Sequence, residues 1–216
     1  MKLEAERREI CHIGRVLFAK NMVQYNGGNV SLRDPESGLV AIKPSGMAWE
    51  KMEPQDVVVV DMDGNVVEAG WGKPSIETSM HLQLYKNRPD FNAVIHCHAP
   101  HAIAWSIKGH KVLRAMTPCC WFTKGAVKVA PYAPAGAPEL AQYTAETIGQ
   151  TETACILRSH GIVCCGKDMD AAMVVTLTVE DGAKIACLTA AMPGETIYLD
   201  KELSEEMGLD LLSKIQ

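Results

Sequence analysis

Apolar residues along this chain recur in two rhythms, one near four residues and one near two, and the switches between them mark out its elements. From Leu3 to about Met22, Ile10, Ile13, Val16 and Leu17 fall at helical spacing among charges, which predicts an amphipathic helix stopped by Gly27-Gly28. The rhythm then shortens. Val30-Ser31-Leu32-Arg33 and Leu39-Val40-Ala41-Ile42 flank the turn-rich Asp34-Pro35-Glu36-Ser37-Gly38, while Val57 to Asp61 and Val66 to Glu68 flank Met62-Asp63-Gly64-Asn65. Both pairs predict antiparallel hairpins. A helix is predicted from Glu77 to about Lys86, with Ser75 as its N-cap and Glu77 in its first turn. Next come a strand from Val94 to His98, a helix from about Pro100 to Ile107, a strand through Val127-Lys128-Val129 and a helix from about Pro138 to Ile148. A strand pair from Cys155 to Cys165 straddles His160-Gly161, and a long helix from about Met169 to Ala190 precedes a polar tail helix. Strands that alternate with helices yet also pair as hairpins imply an α/β fold, a mixed sheet covered by helices on both faces.

A chain of 216 residues suits one sizeable core, so a single domain over 1–216 is expected. With 47% hydrophobic and 22% charged residues the chain reads as globular rather than disordered. Its net charge of −5, with no basic block, argues against a nucleic-acid surface, so an anionic ligand would need a dedicated pocket. The eight cysteines sit mostly in apolar runs without CxxC spacing and read as reduced thiols. The charged N-terminal segment is unlike a signal peptide, and no apolar run approaches the roughly 20 residues of a membrane span. A cytoplasmic protein with no membrane partner is expected. Gly27-Gly28 is not a GxGxxG turn and no P-loop is present, so dinucleotide binding finds no support.

The chemistry gathers at His96-Cys97-His98, which closes the apolar run from Phe91 to Ile95. On a strand, residues i and i+2 point to one side, so the two imidazoles can share a metal ion. A tetrahedral catalytic site takes a third protein ligand and leaves one position open; His160 is the candidate, and Glu77 is the candidate carboxylate. Glycines at 28 and 46 allow backbone N–H groups to approach an anion, and Asn29, Ser45 and Ser75 add donors. Each signal has an ordinary alternative: glycines make turns, and a glutamate at a helix start commonly serves as a capping carboxylate.

Four segments together resemble the class II aldolase and sugar-phosphate epimerase family: Gly27-Gly28-Asn29-Val30-Ser31, Lys43-Pro44-Ser45-Gly46, Pro74-Ser75-Ile76-Glu77 with Met80-His81, and His96-x-His98 with His160-Gly161. The resemblance implies a three-layer αβα sandwich with a mainly antiparallel central sheet, assembled as a homotetramer. It also implies Zn2+ held by His96, His98 and His160, with Glu77 as the acid/base that also touches the metal. The substrate phosphate would be held by Gly28, Asn29, Ser45, Gly46, Ser75 and Ile76. The implied reaction is retro-aldol cleavage of a ketose 1-phosphate, of the fuculose 1-phosphate or 5-deoxypentulose 1-phosphate type, to dihydroxyacetone phosphate and an aldehyde. Glutamate at 77 favours this over L-ribulose-5-phosphate 4-epimerase activity, because the similar epimerases usually carry aspartate there. Phosphorylated sugar-acid decarboxylases share the scaffold, as does the adducin head, a non-catalytic assembly module. Two departures stand out: Ser75-Ile76-Glu77 replaces the usual Ser-Ser-Glu, and Met116 to Phe122 contains no tyrosine where the aldolases place one.

Overall fold

The computed structural model describes residues 1–114 and 121–198. Helix α1 (Glu4–Ala19) leads into β1 (Asn29–Arg33) and β2 (Val40–Ile42), and a 3-10 turn at Pro54–Asp56 precedes β3 (Val58–Val60) and β4 (Val66–Glu68). Then follow α2 (Thr78–Asn87), β5 (Ala93–Cys97), α3 (Pro100–Ile107), β6 (Val112–Leu113), β7 (Val127–Ala130) and α4 (Pro138–Ile148). The hairpin strands β8 (Ala154–Leu157) and β9 (Gly161–Gly166) run into α5 (Met169–Ala191). The predicted polar tail helix falls on residues 199–216, outside the described ones.

Among the described residues nine strands form one sheet in the order β4-β3-β2-β1-β5-β9-β8-β7-β6. Every neighbouring pair is antiparallel except β7 and β8, so the sheet is mixed and mainly antiparallel. Alternation along each strand sends side chains to two separate cores. On one face Ile95, Ile156 and Ile162 pack with Ile10 and Leu17 of α1, Trp105 of α3 and Val175 and Val179 of α5. On the other, Val94, Leu157 and Val163 pack with Met80 and Leu84 of α2 and Leu140 and Ile148 of α4. This is the three-layer αβα arrangement. Because Ile95 belongs to the first face and Val94 to the second, the intervening register sends His96 toward α2.

Two boundaries differ from the periodicity. Helix α1 ends at Ala19, before the glycine pair, because Asn21 adopts a left-handed φ of 58° and the Met22 N–H turns back to Leu17 O at 3.0 Å. Helix α2 starts at Thr78 with Glu77 at the N-cap position, not with Ser75 as its cap; no side chain caps it. The Ser75 hydroxyl instead accepts the Glu77 N–H at 3.3 Å, two residues ahead of the N-cap position.

Candidate metal centre

Strand β5 stops at Cys97, so His98 lies one residue beyond it, and the ring centroids of His96 and His98 are 5.2 Å apart. His160 arrives from the β8–β9 turn, its centroid 4.8 Å from that of His96 and 5.4 Å from that of His98. Two local features bring it there. Ser159 takes a left-handed φ of 58°, with its N–H held by the Ser106 hydroxyl at 2.9 Å. Gly161 then allows β9 to lie against β5, since a Cβ there would stand 2.3 Å from Cys97 O. One ligand atom from each of the three histidines falls within 4.8 Å of the others, and this is the cluster of that kind among the described residues.

The protonation pattern follows from the hydrogen bonds. His96 Nδ1 lies 3.0 Å from Ile162 O, a carbonyl that only accepts, so Nδ1 carries the proton and Nε2 presents a lone pair. That Nε2 is buried without a hydrogen-bond partner and sits 3.4 Å from Glu77 Oε2; Glu77 Oε1, equally buried and unpartnered, sits 3.6 Å from His160 Nε2. Burial pushes His96 down to about 4, and burial also lowers His98. For Glu77 burial alone would raise the carboxyl, but the neighbouring imidazoles and the Asn29 amide outweigh it and hold it below its usual range. His96 Nε2 and His160 Nε2 thus face the two oxygens of the Glu77 carboxyl group across one buried space. Each buried unpaired polar atom costs about 1–3 kcal/mol, and a divalent cation between them would satisfy all of them at once. The donor set fits a metal ion on these grounds, with His96 already oriented by a carbonyl behind it.

Glu77 itself is not a helix cap. Its carboxylate turns inward, where Asn29 Nδ2 donates to Oε2 at 2.7 Å. Beside it, the three loops carrying the expected phosphate residues are laced together. Lys43 Nζ donates to Asn26 O at 3.0 Å and Pro44 O at 3.2 Å, Asn26 Nδ2 reaches Gly46 O at 3.4 Å, and the Ser75 N–H donates to Lys43 O at 3.1 Å. The Trp49 indole anchors the first loop by donating to Gly27 O at 2.8 Å. Gly28, at φ 68°, leaves no room for a side chain beside His96 O, which a Cβ would approach to 2.7 Å. Gly28, Asn29, Ser45, Gly46 and Ser75 thus share one neighbourhood. Ile76 is adjacent in sequence, but its side chain is exposed and rests against Gly136 in the connection to α4.

The sequence motifs include Lys43, Ser31 and His81 without giving them a role in the site, and leave out Tyr85. Lys43 is buried, its Nζ 4.9 Å from the Trp49 ring, and burial lowers it to about 8. The other three lie between Glu77 and the sheet, and their spacing was a usable signal: Glu77, His81 and Tyr85 at i, i+4 and i+8 meet Asn29 and Ser31 at i and i+2. The apolar cluster around Trp121 and Phe122 stands elsewhere. Thr153 donates to Phe122 O at 2.9 Å, at the start of β8, whereas His160 follows its end about 13 Å of strand away. Cys119 and Cys120 lie outside the described residues.

The family model described as Class II Aldolase and Adducin N-terminal domain matches residues 8–187. A 5-deoxy-D-ribulose 1-phosphate aldolase of Bacillus thuringiensis serovar kurstaki is 34% identical over 207 residues, 96% of this chain and 95% of the relative. An L-ribulose-5-phosphate 4-epimerase of Salmonella paratyphi C is 37% identical over 175 residues, 76% of each chain. Among solved structures, an L-fuculose 1-phosphate aldolase superposes with a TM-score of 0.90 at 34% identity, covering 96% of both chains.

Proposed function

We propose, for a chain that belongs to the class II aldolase and adducin N-terminal domain family, that it is a zinc-dependent aldolase cleaving a ketose 1-phosphate into dihydroxyacetone phosphate and an aldehyde. The observation that carries the reading is the meeting of His96 Nε2 and His160 Nε2 with the Glu77 carboxylate at 3.4 and 3.6 Å. Zinc held by His96, His98 and His160 would supply a Lewis acid that polarises the substrate carbonyl. The substrates named for the aldolase relatives, 5-deoxy-D-ribulose 1-phosphate and L-fuculose 1-phosphate, define the class proposed here.

The chain's own residues then divide the work. Glu77, ionised and oriented by Asn29, moves the proton at the carbon that becomes electron-rich when the carbon–carbon bond breaks. The loops at Gly28-Asn29, Ser45-Gly46 and Ser75-Ile76 hold the phosphate through the backbone N–H groups of Gly28, Gly46 and Ile76 and the hydroxyls of Ser45 and Ser75, since the Ser45 and Ser75 N–H groups bond Lys73 O and Lys43 O. Ile76 contributes its backbone alone, so this site has one hydroxyl fewer than a Ser-Ser-Glu site. The apolar cluster near Trp121 would reach an active site only in an assembly, and a homotetramer in the cytoplasm completes the proposal.

A second reading has a specific support in the epimerase relative, whose reaction would begin with the same retro-aldol step and end with recombination. Purified zinc-loaded protein incubated with ketose 1-phosphates, ketopentose 5-phosphates and phosphorylated sugar acids, with products identified by mass spectrometry, separates the readings. Release of dihydroxyacetone phosphate supports the aldolase. An isomeric pentulose phosphate with no fragments would replace it by the epimerase, and carbon dioxide release by a decarboxylase. A protein that binds no metal and turns over nothing would be a non-catalytic module.

A further inference from the structure

We infer that His81 is a positioning residue for Glu77 and acts through Asn29, by fixing which end of the Asn29 amide faces the carboxylate. The inference rests on the reading of Glu77 as the group that moves the substrate proton. Its basis is a continuous chain of buried hydrogen bonds: Tyr85 Oη to Ser31 Oγ at 2.7 Å, Ser31 Oγ to His81 Nδ1 at 2.7 Å, His81 Nε2 to Asn29 Oδ1 at 2.5 Å, and Asn29 Nδ2 to Glu77 Oε2 at 2.7 Å. Ser31 and His81 are fully buried, and Tyr85 and Asn29 nearly so.

The direction of every bond follows from one end. Asn29 turns its NH2 toward Glu77 Oε2 and its carbonyl oxygen toward His81. That oxygen accepts in turn, so His81 Nε2 must carry a proton. A fully buried imidazole is neutral, which leaves Nδ1 bare and makes the Ser31 hydroxyl its donor. The Tyr85 hydroxyl then donates to Ser31 Oγ. Tyr85 Oη also has Ser31 O at 3.1 Å and Asn92 O at 3.4 Å as acceptors, so the constraint is tightest from Asn29 to Ser31.

Without the His81 N–H, the two orientations of the Asn29 amide lose the contact that distinguishes them. The flipped one would place a carbonyl oxygen against the carboxylate, pushing Glu77 off the geometry in which Oε1 faces the histidine cluster. Deleting a partner of this supporting kind typically costs about ten- to a hundredfold in activity. The loss should fall on kcat, because the Asn29 side chain is spent on Glu77 and His81, and its reorientation disturbs the carboxylate and not the backbone and hydroxyl groups that hold the phosphate.

Nitrogen-15 NMR of the full-length protein reads the histidine tautomers directly and needs no turnover. His81 should be neutral with its proton on Nε2, and a proton on Nδ1 would overturn the inference whatever the enzyme's reaction. In kinetics, His81→Phe should lower kcat about ten- to a hundredfold with KM and zinc content unchanged. His81→Gln, whose amide can donate to Asn29 and accept from Ser31, should recover most of that loss. Unchanged kcat in His81→Phe, or His81→Gln as impaired as His81→Phe, would sink the inference. If His81→Phe fails to fold, Ser31→Ala takes its place: because Asn29 Oδ1 still accepts from His81, the proton should stay on Nε2, and its transfer to Nδ1 would overturn the inference. Wild-type protein that cleaves no sugar phosphate would remove the proposed reaction, while the tautomer still decides the hydrogen-bond chain.

Discussion

His96 and Glu77 meet in the protein interior with Nε2 and Oε2 3.4 Å apart, and His96 Nε2 makes no hydrogen bond. Ile162 O claims the His96 N–H on the far side of the ring, so a lone pair faces a carboxylate. Such a contact is repulsive by itself and becomes favourable with a cation between the two groups.

One divalent ion per chain, zinc by preference, should therefore bind at His96, His98 and His160. Metal analysis should find stoichiometric zinc in the wild type and a large loss of affinity in His160→Ala. At a zinc concentration 100 times the dissociation constant, binding adds about 2.7 kcal/mol to stability, so chelation should lower the melting temperature measurably. Full metal content in His160→Ala would refute the assignment.

Glu77→Gln should lower turnover by at least about a hundredfold, as expected for loss of a general acid/base. Its fold should persist, because the side chain makes no cap on α2. Comparing circular dichroism and turnover for this variant checks both halves; near-normal turnover would rule out the proton-transfer role.

Gly161→Ala should damage fold and site together. A Cβ at this position would lie 2.3 Å from Cys97 O and 3.2 Å from the His96 ring, so β9 must move away from β5. Overpacking of this sort costs about 1–3 kcal/mol, and denaturant melts should report it. Zinc affinity should fall as well, since the shift separates His160 from His96.

Acid should destabilise the protein through His81. Burial lowers this imidazole from 6.5 to about 3 in the folded chain. Between those values the unfolded chain binds a proton that the folded chain refuses, so stability falls as pH falls below about 6.5 and is insensitive to this group above it. Wild-type protein should lose up to about 1.4 kcal/mol per pH unit more than His81→Gln in metal-free denaturant melts. Parallel pH profiles for the two would contradict this.

The paired histidines, the hairpins and the helices from Pro100, Pro138 and Met169 were legible because each depends on a local period that one stretch of sequence carries. A three-layer α/β fold followed from their order. The sequence also offered His160 and Glu77 as candidates, from their places after an apolar run and at a helix start and from the family resemblance. What it left open was which way Glu77 faces, toward its helix or toward the sheet, since the sequence spacing suits both. The tertiary structure decided that through Asn29, 48 residues away, and likewise oriented His96 through Ile162, 66 residues away. The same holds for the Tyr85–Ser31–His81–Asn29 chain, whose links span up to 54 residues. Periodicity says which face of an element a side chain occupies; only the packing of α2 on β1, β5 and β9 determines what it meets there, because hydrogen-bond partners are selected by distances of about 3 Å that no local spacing encodes.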